Sequence, residues 1–544
     1  MPVPSRRLGT ARRIVATAVA GLFALTAPAA ATIASEATAQ QPYSAPARAS
    51  AYPQTAWAPT TVSTLVQVGG SLTRSSATYT LERTASSTEG AQSWTVAVKG
   101  NAGGWVEATV GKGADKRKLD LVPAAVHGDA TLYSLDLSPE STASAAVVTV
   151  STVQTQQTVP FPAKLAQTVD SIYFLWTGDL LGSLEALPQE QRSHVKEIKV
   201  RVKAPAPRLA SLETPDAFDI HAPTGSATIT YTSKGGSDFA TLGPQTARVH
   251  FQEPQAVASL RKLDRIIELS HWGNNLAIQD SMDLYNSGPE LDGQFARIDF
   301  QKMGMMRRQG ITAIPSLSLS LPSSAANPYY YDVVGNVSTS HFRPASMESR
   351  NPSKVVLPSQ QKRLSAQKPA ILELKPRYPI FGGWNYSFTI GYDLPLGEYV
   401  RTRKEGRGKY LAAVPFLTPI KDVAVEQARV EIRLPEGARD IHVRTPFPVS
   451  SLAYPAFVPR LFGRHDTVQQ GGAVSWTYLD STGRPTVVLT KEGCTDMHGG
   501  DVLIEYTLPF FVEWFQKPIA CASALAALFV TIALAKRVKT AIPS

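Results

Sequence analysis

Two tripeptides have the residue types and spacing for one reaction, the attachment of a glycan to an asparagine amide. Asn336-Val337-Ser338 and Asn385-Tyr386-Ser387 both have the Asn-x-Ser form, in which asparagine is the acceptor. A third, Asn351-Pro352-Ser353, is excluded by its central proline. We predict N-glycosylation at Asn336 and Asn385. We expect occupancy at Asn336 in preference, because it follows an exposed turn whereas Asn385 lies in a packed strand.

Other candidate reactive groups lack the partners that catalysis needs. The sequence contains no His-Glu-x-x-His zinc pattern, no Gly-x-Ser-x-Gly elbow and no phosphate-binding loop. His271 beside Trp272 is interpreted as structural. The segment from Cys494 to His498 has too few ligands for a metal site and no supporting groups for a thiol nucleophile, so we interpret it as a surface loop. We therefore predict no catalytic residue, metal or cofactor.

The strand that must carry the Asn385 tripeptide shows a clear alternation. Trp384, Tyr386, Phe388, Ile390 and Tyr392 occupy every second position, with small or polar residues between them. This period of two predicts a half-buried strand with its polar face toward water. Gly382-Gly383 interrupts the chain before the strand and Pro395 ends it. An ordinary sandwich strand that happens to contain the tripeptide is the alternative interpretation.

Similar alternating segments recur along the chain, separated by clusters rich in glycine, proline and serine. We predict a mainly β protein with two β-sandwich-like domains, at residues 40–253 and 254–514, and an irregular polar segment at about 343–368. The net charge is +10, but the basic residues are scattered along the chain. The densest basic run, Lys112 to Lys118, is interpreted as a solvated turn. We therefore predict no nucleic-acid partner.

The N-terminus has the pattern of a targeting segment. Four arginines, Arg6, Arg7, Arg12 and Arg13, precede an apolar run that ends near Ala31, and small residues follow. This pattern predicts a secretory signal peptide within residues 1–39, cleaved after Ala31 or Ala39. An uncleaved anchor is the alternative, and the alanine-rich end of the run favours cleavage.

The C-terminus predicts a membrane span. The stretch from Pro518 to Ala535 has no charge, and its residues would extend about 27 Å as a helix. Aromatic residues precede it as an interfacial belt would, namely Phe510, Phe511, Trp514 and Phe515. Basic residues follow it and place that end in the cytosol. We predict a transmembrane helix at 515–536 and a short cytosolic tail at 537–544; a core helix is the alternative.

One face of the predicted span consists of small residues. Ala520 and Ala524, like Ser523 and Ala527, are four residues apart and therefore share a face. Such faces allow close approach of membrane helices. We predict that this face packs on other membrane helices, the alternative being a generic alanine-rich anchor. Because Cys494 and Cys521 would lie on different sides of the membrane boundary, we expect no disulfide between them.

Several long motifs, in order along the chain, resemble the ribophorin I family. They are Ser270 to Asn274, Tyr331 to His341, Pro376 to Pro395, Leu434 to Ala438 and Thr477 to Pro485, within a resemblance that covers about residues 55–536. The resemblance implies two lumenal β-rich domains and one span. It also implies a non-catalytic subunit of the oligosaccharyltransferase complex, a single-pass type I protein of the endoplasmic reticulum membrane.

The resemblance implies a function and a set of partners. The complex transfers a preassembled glycan from a dolichyl-diphosphate donor to Asn of Asn-x-Ser/Thr, and this subunit would support assembly and substrate presentation. Implied partners are the other subunits, including a polytopic catalytic one, nascent polypeptides and the translocation machinery. Because the sequence ends at Ser544, we do not expect ribosome contact through the cytosolic domain that some members carry. The tail also lacks a dilysine at the third and fourth positions from its end and a Lys-Asp-Glu-Leu ending, so we expect retention in the endoplasmic reticulum to depend on the assembled complex.

Two other classes of function remain as alternatives at the sequence level. One is a type I cell-surface β-sandwich receptor or adhesion protein, and the other is an anchored lumenal hydrolase. The small-residue face of the span disfavours a signalling receptor, and the missing catalytic motifs disfavour the hydrolase.

Overall fold

The computed structural model describes residues 57–83, 93–99, 104–111, 116–127, 130–137, 144–169, 171–235, 238–305, 312–345, 369–403, 408–454, 474–477, 480 and 483–537. The signal peptide predicted at 1–39 lies outside the described residues. So do almost all of the predicted tail and the part of the irregular segment from residue 346 to 368.

The first half of the described chain is built from short strands. They are β1 Trp57–Gln67, β2 Leu72–Arg83, β3 Ser93–Lys99, β4 Trp105–Val110, β5 Arg117–Leu119, β6 Leu121–His127, β7 Ala130–Asp136, β8 Ala145–Thr155, β9 Thr158–Pro160, β10 Lys164–Ala166, β11 Ile172–Asp179, β12 Glu197–Lys203, β13 Leu209–Glu213, β14 Phe218–His221, β15 Thr228–Ser233 and β16 Thr246–Glu253. A 3₁₀ turn, Gly182–Ala186, and the short helix α1, Gln189–Arg192, connect β11 to β12.

The second half continues with strands and ends in a long helix. The strands are β17 Ala258–Ser270, β18 Asn275–Asn286, β19 Glu290–Asp292, β20 Ala313–Ile314, β21 Leu317–Leu321, β22 Ala326–Asp332, β23 Gly335–Asn336, β24 His341–Arg343, β25 Ala370–Leu374, β26 Ile380–Phe381, β27 Asn385–Pro395, β28 Val400–Thr402, β29 Lys409–Pro415, β30 Ala424–Arg433, β31 Arg439–Arg444, β32 Ser451–Ala453, β33 Val474–Ser475, β34 Arg484–Cys494 and β35 Asp501–Thr507. The helices are α2 Arg297–Met305, α3 Leu396–Tyr399 and α4 Phe510–Arg537, with a 3₁₀ turn at Asp496–His498.

The first half packs three sheets around one apolar cluster. The largest sheet has the order β14-β15-β12-β1-β2-β8-β4-β5, and the others are β13-β16-β11-β9 and β3-β7-β6. Tyr79, Trp94, Phe174 and Phe251, from all three sheets, meet in a cluster that extends along the chain from Trp57 to Val257. The alternation along each strand explains this arrangement, since every second side chain faces the same side of its sheet.

The second half repeats the layered arrangement around its own core. Its main sheet has the order β23-β22-β27-β18-β17-β30-β34-β32, with β33 also paired to β34. The sheets β28-β29-β35-β31 and β21-β25-β24 contribute to the same apolar cluster, which includes Ile278, Ile390, Val430 and Ile504. The prediction of a mainly β fold with a single C-terminal apolar helix is confirmed. The boundaries at 253 and 514 stay a prediction.

Strand β27 lies inside the main sheet, between β22 and β18. Tyr386, Phe388 and Ile390 are buried as the alternation predicts. The predicted solvent-facing side is only partly correct, because Thr389 and Gly391 are buried as well. The ring of Tyr329 from β22 lies so close to Gly391 that a Cβ there would overlap it. A neighbouring strand therefore covers the middle of the polar face.

The two glycines before β27 have separate structural reasons. A Cβ on Gly382 would overlap the carbonyl oxygen of Pro289, so only glycine permits this approach of two backbone segments. Gly383 has φ of +80°, a left-handed conformation that glycine adopts without steric cost. The Gly-Gly pair thus allows the turn that precedes β27 in the sheet.

Helix α4 extends from Phe510 to Arg537 and includes the predicted span at 515–536. Within it, Trp514–Arg537 is long and apolar enough to cross a membrane, with a mean hydropathy of 2.2 over its most apolar window and none of that window buried. The predicted aromatic belt is therefore part of the helix, in its first turns.

Candidate functional site

Asn336 lies on the edge strand of a tight hairpin. Strands β22 and β23 pair Tyr331 with Asn336. The turn between them is highly exposed, with Val333 89% and Val334 80% accessible. The side chains of Asn336 and Ser338 are both exposed as well. Both residues that define the acceptor tripeptide are therefore open to an approaching enzyme.

A buried carboxylate holds this hairpin. One oxygen of Asp332 accepts hydrogen bonds from the backbone N–H groups of Val334 (2.9 Å) and Gly335 (3.0 Å). The other accepts the Tyr386 hydroxyl at 3.1 Å and the Arg377 guanidinium. The hydrogen bond from Arg377, joined by those from Tyr386 and the backbone, outweighs burial and lowers the pKa of Asp332. The carboxylate stays ionised and fixes the turn.

Arg377 extends this support to the acceptor itself. Its guanidinium donates to the carbonyl oxygens of Gly335 (3.2 Å) and Asn336 (3.1 Å). The backbone of Asn336 is thus held while its side chain faces outward. Since Arg377 lies 41 residues away in sequence, this contact was not visible in the tripeptide motif.

Asn385 has an exposed side chain in a more constrained setting. It begins β27 and pairs with Tyr285 of β18. Its carbonyl oxygen accepts the Tyr378 hydroxyl at 3.0 Å, and the Ser387 hydroxyl donates to Asp283 at 2.9 Å. The serine hydroxyl and the backbone of this tripeptide are therefore both engaged. The preference for Asn336 stays a prediction, and these contacts favour it.

The interpretation of residues 494–498 as a surface loop is only partly correct, because Met497 is 41% exposed whereas Cys494 and His498 are buried. The His498 ring packs edge-on against Trp105 at 5.3 Å. Burial raises the pKa of the Cys494 thiol to about 12 and lowers the pKa of His498 to about 3. A thiol with so high a pKa is a poor nucleophile. The alternation of the chain did not reveal that the first half of the protein covers this segment.

His271 packs against two tyrosine side chains. Its Nε2 lies 2.7 Å from the Tyr506 hydroxyl, and its ring stands edge-on to Tyr410 at 4.6 Å. Across the described ranges, no group of three or more His, Cys, Asp or Glu side chains is arranged to hold a metal ion.

The predicted packing face lies on α4. The hydroxyl of Ser523 donates to the carbonyl oxygen of Ala520 at 2.8 Å, so its hydrogen is used within the helix. Ser523 and Ala524 are exposed in the described chain. The face therefore presents small, internally satisfied groups, and its packing on another helix stays a prediction.

A charged cluster at the start of α4 was missed at the sequence level. The side chain of Asp480 is fully buried and accepts bonds from Thr477 N–H (2.8 Å) and Arg484 Nε (3.2 Å). Lys517 of α4 lies 3.8 Å from the same carboxylate. Burial raises the pKa of Asp480, but the Thr477 hydrogen bonds and the Arg484 charge outweigh it, so that the pKa is lowered. The cluster ties the helix to the β fold.

One signal in the sequence could have pointed to this cluster. Asp480 and Arg484 have opposite charges four residues apart within the Thr477 to Pro485 motif, which was used only for the family resemblance. The partner on the helix could not be found in this way, because Lys517 is 37 residues away from Asp480 in the sequence.

The family model and the relatives found by sequence agree on the family. The family model described as Ribophorin I matches residues 57–536. Three relatives are named as dolichyl-diphosphooligosaccharide–protein glycosyltransferase subunits. Subunit 1A of Arabidopsis thaliana is 32% identical over 52% of this chain and 38% of its own length. Subunit 1 of Caenorhabditis elegans is 27% identical over 79% and 64%, and subunit 1B of Oryza sativa subsp. japonica is 28% identical over 78% and 79%.

These matches cover only part of the length of some relatives. This chain spans less than two thirds of the length of the Arabidopsis and Caenorhabditis proteins. Among solved structures, yeast LTA4 hydrolase aligns over 41% of this chain and 34% of its own, at 13% identity and a TM-score of 0.24. A score this low supports no argument about fold or activity.

Proposed function

This chain belongs to the ribophorin I family, and from that premise we propose that it is a non-catalytic subunit of the oligosaccharyltransferase complex. The observation that carries the proposal is the family match over residues 57–536, together with relatives whose names all describe subunits of this transferase. The complex would transfer a preassembled glycan from a dolichyl-diphosphate donor to asparagine in Asn-x-Ser/Thr of nascent proteins.

The one membrane-length helix in the described ranges supports an accessory role. A dolichol-linked donor lies in the bilayer, so its catalyst needs a site built from several membrane helices. In the described part of this chain, one helix is long and apolar enough to span. The reactive side chains singled out in the sequence, Cys494 and His498, are buried in packing contacts. We therefore assign the chemistry to a separate polytopic subunit.

The order of elements supports a type I orientation in the endoplasmic reticulum membrane. Both β-rich halves precede α4, and Lys536 and Arg537 follow its apolar stretch. By the positive-inside tendency we assign this end to the cytosol, and we assign the β-rich halves and the Asn336 hairpin to the lumen. Nascent polypeptides and the translocation machinery would then be within reach of the β-rich halves.

We assign docking on the other subunits to the small-residue face of α4. A leucine in place of Ala524 would hold a neighbouring helix away by the volume of its side chain. Ala522 lies on the opposite side of the helix, so Ala522→Leu adds the same volume without touching the face.

The test is purification of the tagged full-length chain in mild detergent from cells that express the other subunits. Wild-type protein and Ala522→Leu should retain the polytopic subunit, whereas Ala524→Leu should retain several-fold less. A wild-type chain that is purified alone and reaches the cell surface would overturn the proposal in favour of a surface receptor. Equal retention by both variants would remove the assigned docking face.

A further inference from the structure

The exposed tryptophans of this protein are confined to one end of it. All eight tryptophans lie in the described residues. Trp57, Trp94 and Trp176 are buried, and Trp105 and Trp384 are partly buried. The remaining three, Trp272, Trp476 and Trp514, are 56%, 62% and 59% exposed. Such exposure of a large amphipathic ring needs an explanation, because tryptophan favours environments that are apolar at one side and wet at the other.

Trp272 lies beside the start of the membrane helix. It belongs to the turn between β17 and β18 and lines a small cavity together with Val512, Gln516 and Lys517 of α4. Trp514 is on the same stretch of helix, one turn before Lys517. The β17–β18 turn and the first turns of α4 are therefore at the same level.

Trp476 reaches this level from a third part of the chain. Its ring lies against Gly483, where a Cβ would be 3.1 Å from it. The next residue, Thr477, donates to Asp480, and the Asp480 carboxylate lies 3.8 Å from Lys517 Nζ. A short chain of contacts thus connects Trp476 to the helix.

Three further aromatic residues extend this surface. Phe510, Phe511 and Phe515 on α4 are 67%, 57% and 47% exposed. We define the aromatic rim as Trp272, Trp476, Phe510, Phe511, Trp514 and Phe515. Only four of these six were visible as a belt in the sequence, since Trp272 and Trp476 come from distant loops.

The height of the rim matches the interfacial layer of a bilayer. Trp514 precedes Pro518, where the uncharged stretch begins, by four residues, which is about 6 Å along a helix. The polar layer on each side of a hydrocarbon core is about 5–7 Å thick. Lys517 lies between these two positions and is tied to Asp480. Trp514 therefore lies at the level where tryptophan is enriched in membrane proteins.

We propose that the aromatic rim is embedded in the headgroup layer of the lumenal leaflet, so that the second β-rich half stands on the membrane through the β17–β18 turn. The occupant is lipid rather than protein, because the rim is continuous with the helix that enters the bilayer. The inference rests on the proposed insertion of α4. It adds that Trp272 and Trp476, outside the helix, are membrane contacts that fix the orientation of the β fold.

The main sheet offers a matched control residue. Strands β18 and β27 pair Asn275 with Pro395 at the rim end and Tyr285 with Asn385 at the other. Ten residues of strand separate these pairs, about 34 Å. Trp384 precedes Asn385 and therefore lies far from the rim, so Trp384→Phe removes a tryptophan that lipid should not reach.

The experiment is fluorescence quenching of the full-length chain in phosphatidylcholine vesicles that contain lipids brominated near the headgroup or deep in the chain. Headgroup-level bromine should quench part of the emission, and deep bromine less. Trp272→Phe and Trp476→Phe should each remove about a third of the quenchable emission, because three exposed tryptophans share it. Trp384→Phe should leave the quenchable emission unchanged. If a Phe variant has a lower melting temperature than the wild-type protein, the same tryptophan is replaced by Tyr instead.

The outcomes separate the inference from the proposed function. If Trp514→Phe removes quenching but the Trp272 and Trp476 variants do not, α4 is inserted and the rim is not in lipid, which overturns the inference alone. If no variant changes quenching, insertion itself fails and so does the membrane part of the proposed function. If quenching of Trp272 and Trp476 occurs only with deep bromine, the assigned headgroup level is wrong.

Discussion

Arg265 and Asp280 form an ion pair in which neither side chain has any exposed surface, with Nη1 and Oδ2 2.6 Å apart. The two residues face each other on adjacent strands, β17 and β18. The Thr418 hydroxyl also donates to Asp280 at 2.6 Å, and Arg265 donates to the Tyr392 hydroxyl at 3.4 Å. A charged pair inside the second core is stable only with both partners present, because each charge would otherwise be buried without compensation.

We expect Asp280→Ala to lower the free energy of unfolding by about 3–5 kcal/mol, because it leaves the Arg265 charge unpaired in the core. Urea unfolding of the full-length chain in detergent, followed by tryptophan fluorescence, measures the change. The control is Glu213→Ala, which breaks the surface ion pair with Arg248. In this pair the side chain of Arg248 is 53% exposed and that of Glu213 is 64% exposed. It should cost less than about 1 kcal/mol. Equal costs for the two variants would contradict the role assigned to the buried pair.

Gly382→Ala should destabilise the turn that enters β27, because the added Cβ overlaps the Pro289 carbonyl oxygen and two backbone segments must separate. We expect a loss of at least about 1–3 kcal/mol, as in overpacked cores. Gly397→Ala is the matched control, since nothing lies within 4 Å of the Cβ it would add. Thermal unfolding compares the two. A melting temperature for Gly382→Ala equal to that of the control would show that the approach of the two segments is not tight.

Glu253 should make the stability of the first half depend on pH. Its side chain is buried, with Oε2 3.1 Å from the N–H of Gly70, and burial raises its pKa to about 7 despite that bond. The folded state then holds the proton more tightly than the unfolded state, whose pKa is about 4.5. The contribution to stability is complete below pH 4.5 and is lost as the pH rises through 7.

Glu253→Gln keeps an acceptor for Gly70 but removes the titration. Relative to this variant, the wild-type protein should lose about 2–3 kcal/mol between pH 4.5 and 7.5. Comparison of unfolding curves across this range isolates the contribution of Glu253, because the wild-type protein and the variant have all other carboxyl groups in common. A difference that stays constant with pH would mean that Glu253 is already ionised in the folded state.

The Asn336 hairpin should carry a glycan when the chain is expressed in eukaryotic cells. Asn336→Gln should remove the mass of one N-glycan, because both Asn336 and Ser338 are exposed. Ser338→Ala should do the same, since it removes the second residue that defines the acceptor. Asn385→Gln should change nothing, because that tripeptide is held in the sheet. Intact-mass analysis before and after enzymatic deglycosylation distinguishes these cases. Loss of a glycan in Asn385→Gln alone would reverse the preference.

The sequence allowed correct prediction of features that depend on residues close together in the chain. The alternation from Tyr386 to Tyr392 predicted a strand and its buried face, because side chains of a strand alternate with a period of two. The uncharged stretch after Lys517 predicted the C-terminal helix from length and hydropathy alone. The Gly382-Gly383 break before β27 was also apparent, although its cause was not.

Other features depended on contacts between distant parts of the chain. Tyr329 covers Gly391, so the polar face of β27 is partly closed. Trp105 covers His498, so this side chain is buried although its segment was interpreted as a surface loop. No local pattern encodes which neighbour covers a face.

The sequence by itself determined that this protein is built mainly from strands, ends in a membrane-length helix and belongs to one family. Each of these conclusions rests on local periodicity, local hydropathy or motifs read in order. Only the tertiary structure decided that Asp332 and Arg377 hold the acceptor hairpin, and that Asp480 and Lys517 join the β fold to the helix. The physical reason is that a buried ion pair or an aromatic surface is defined by distances in space, which a chain sets only when distant strands pack together.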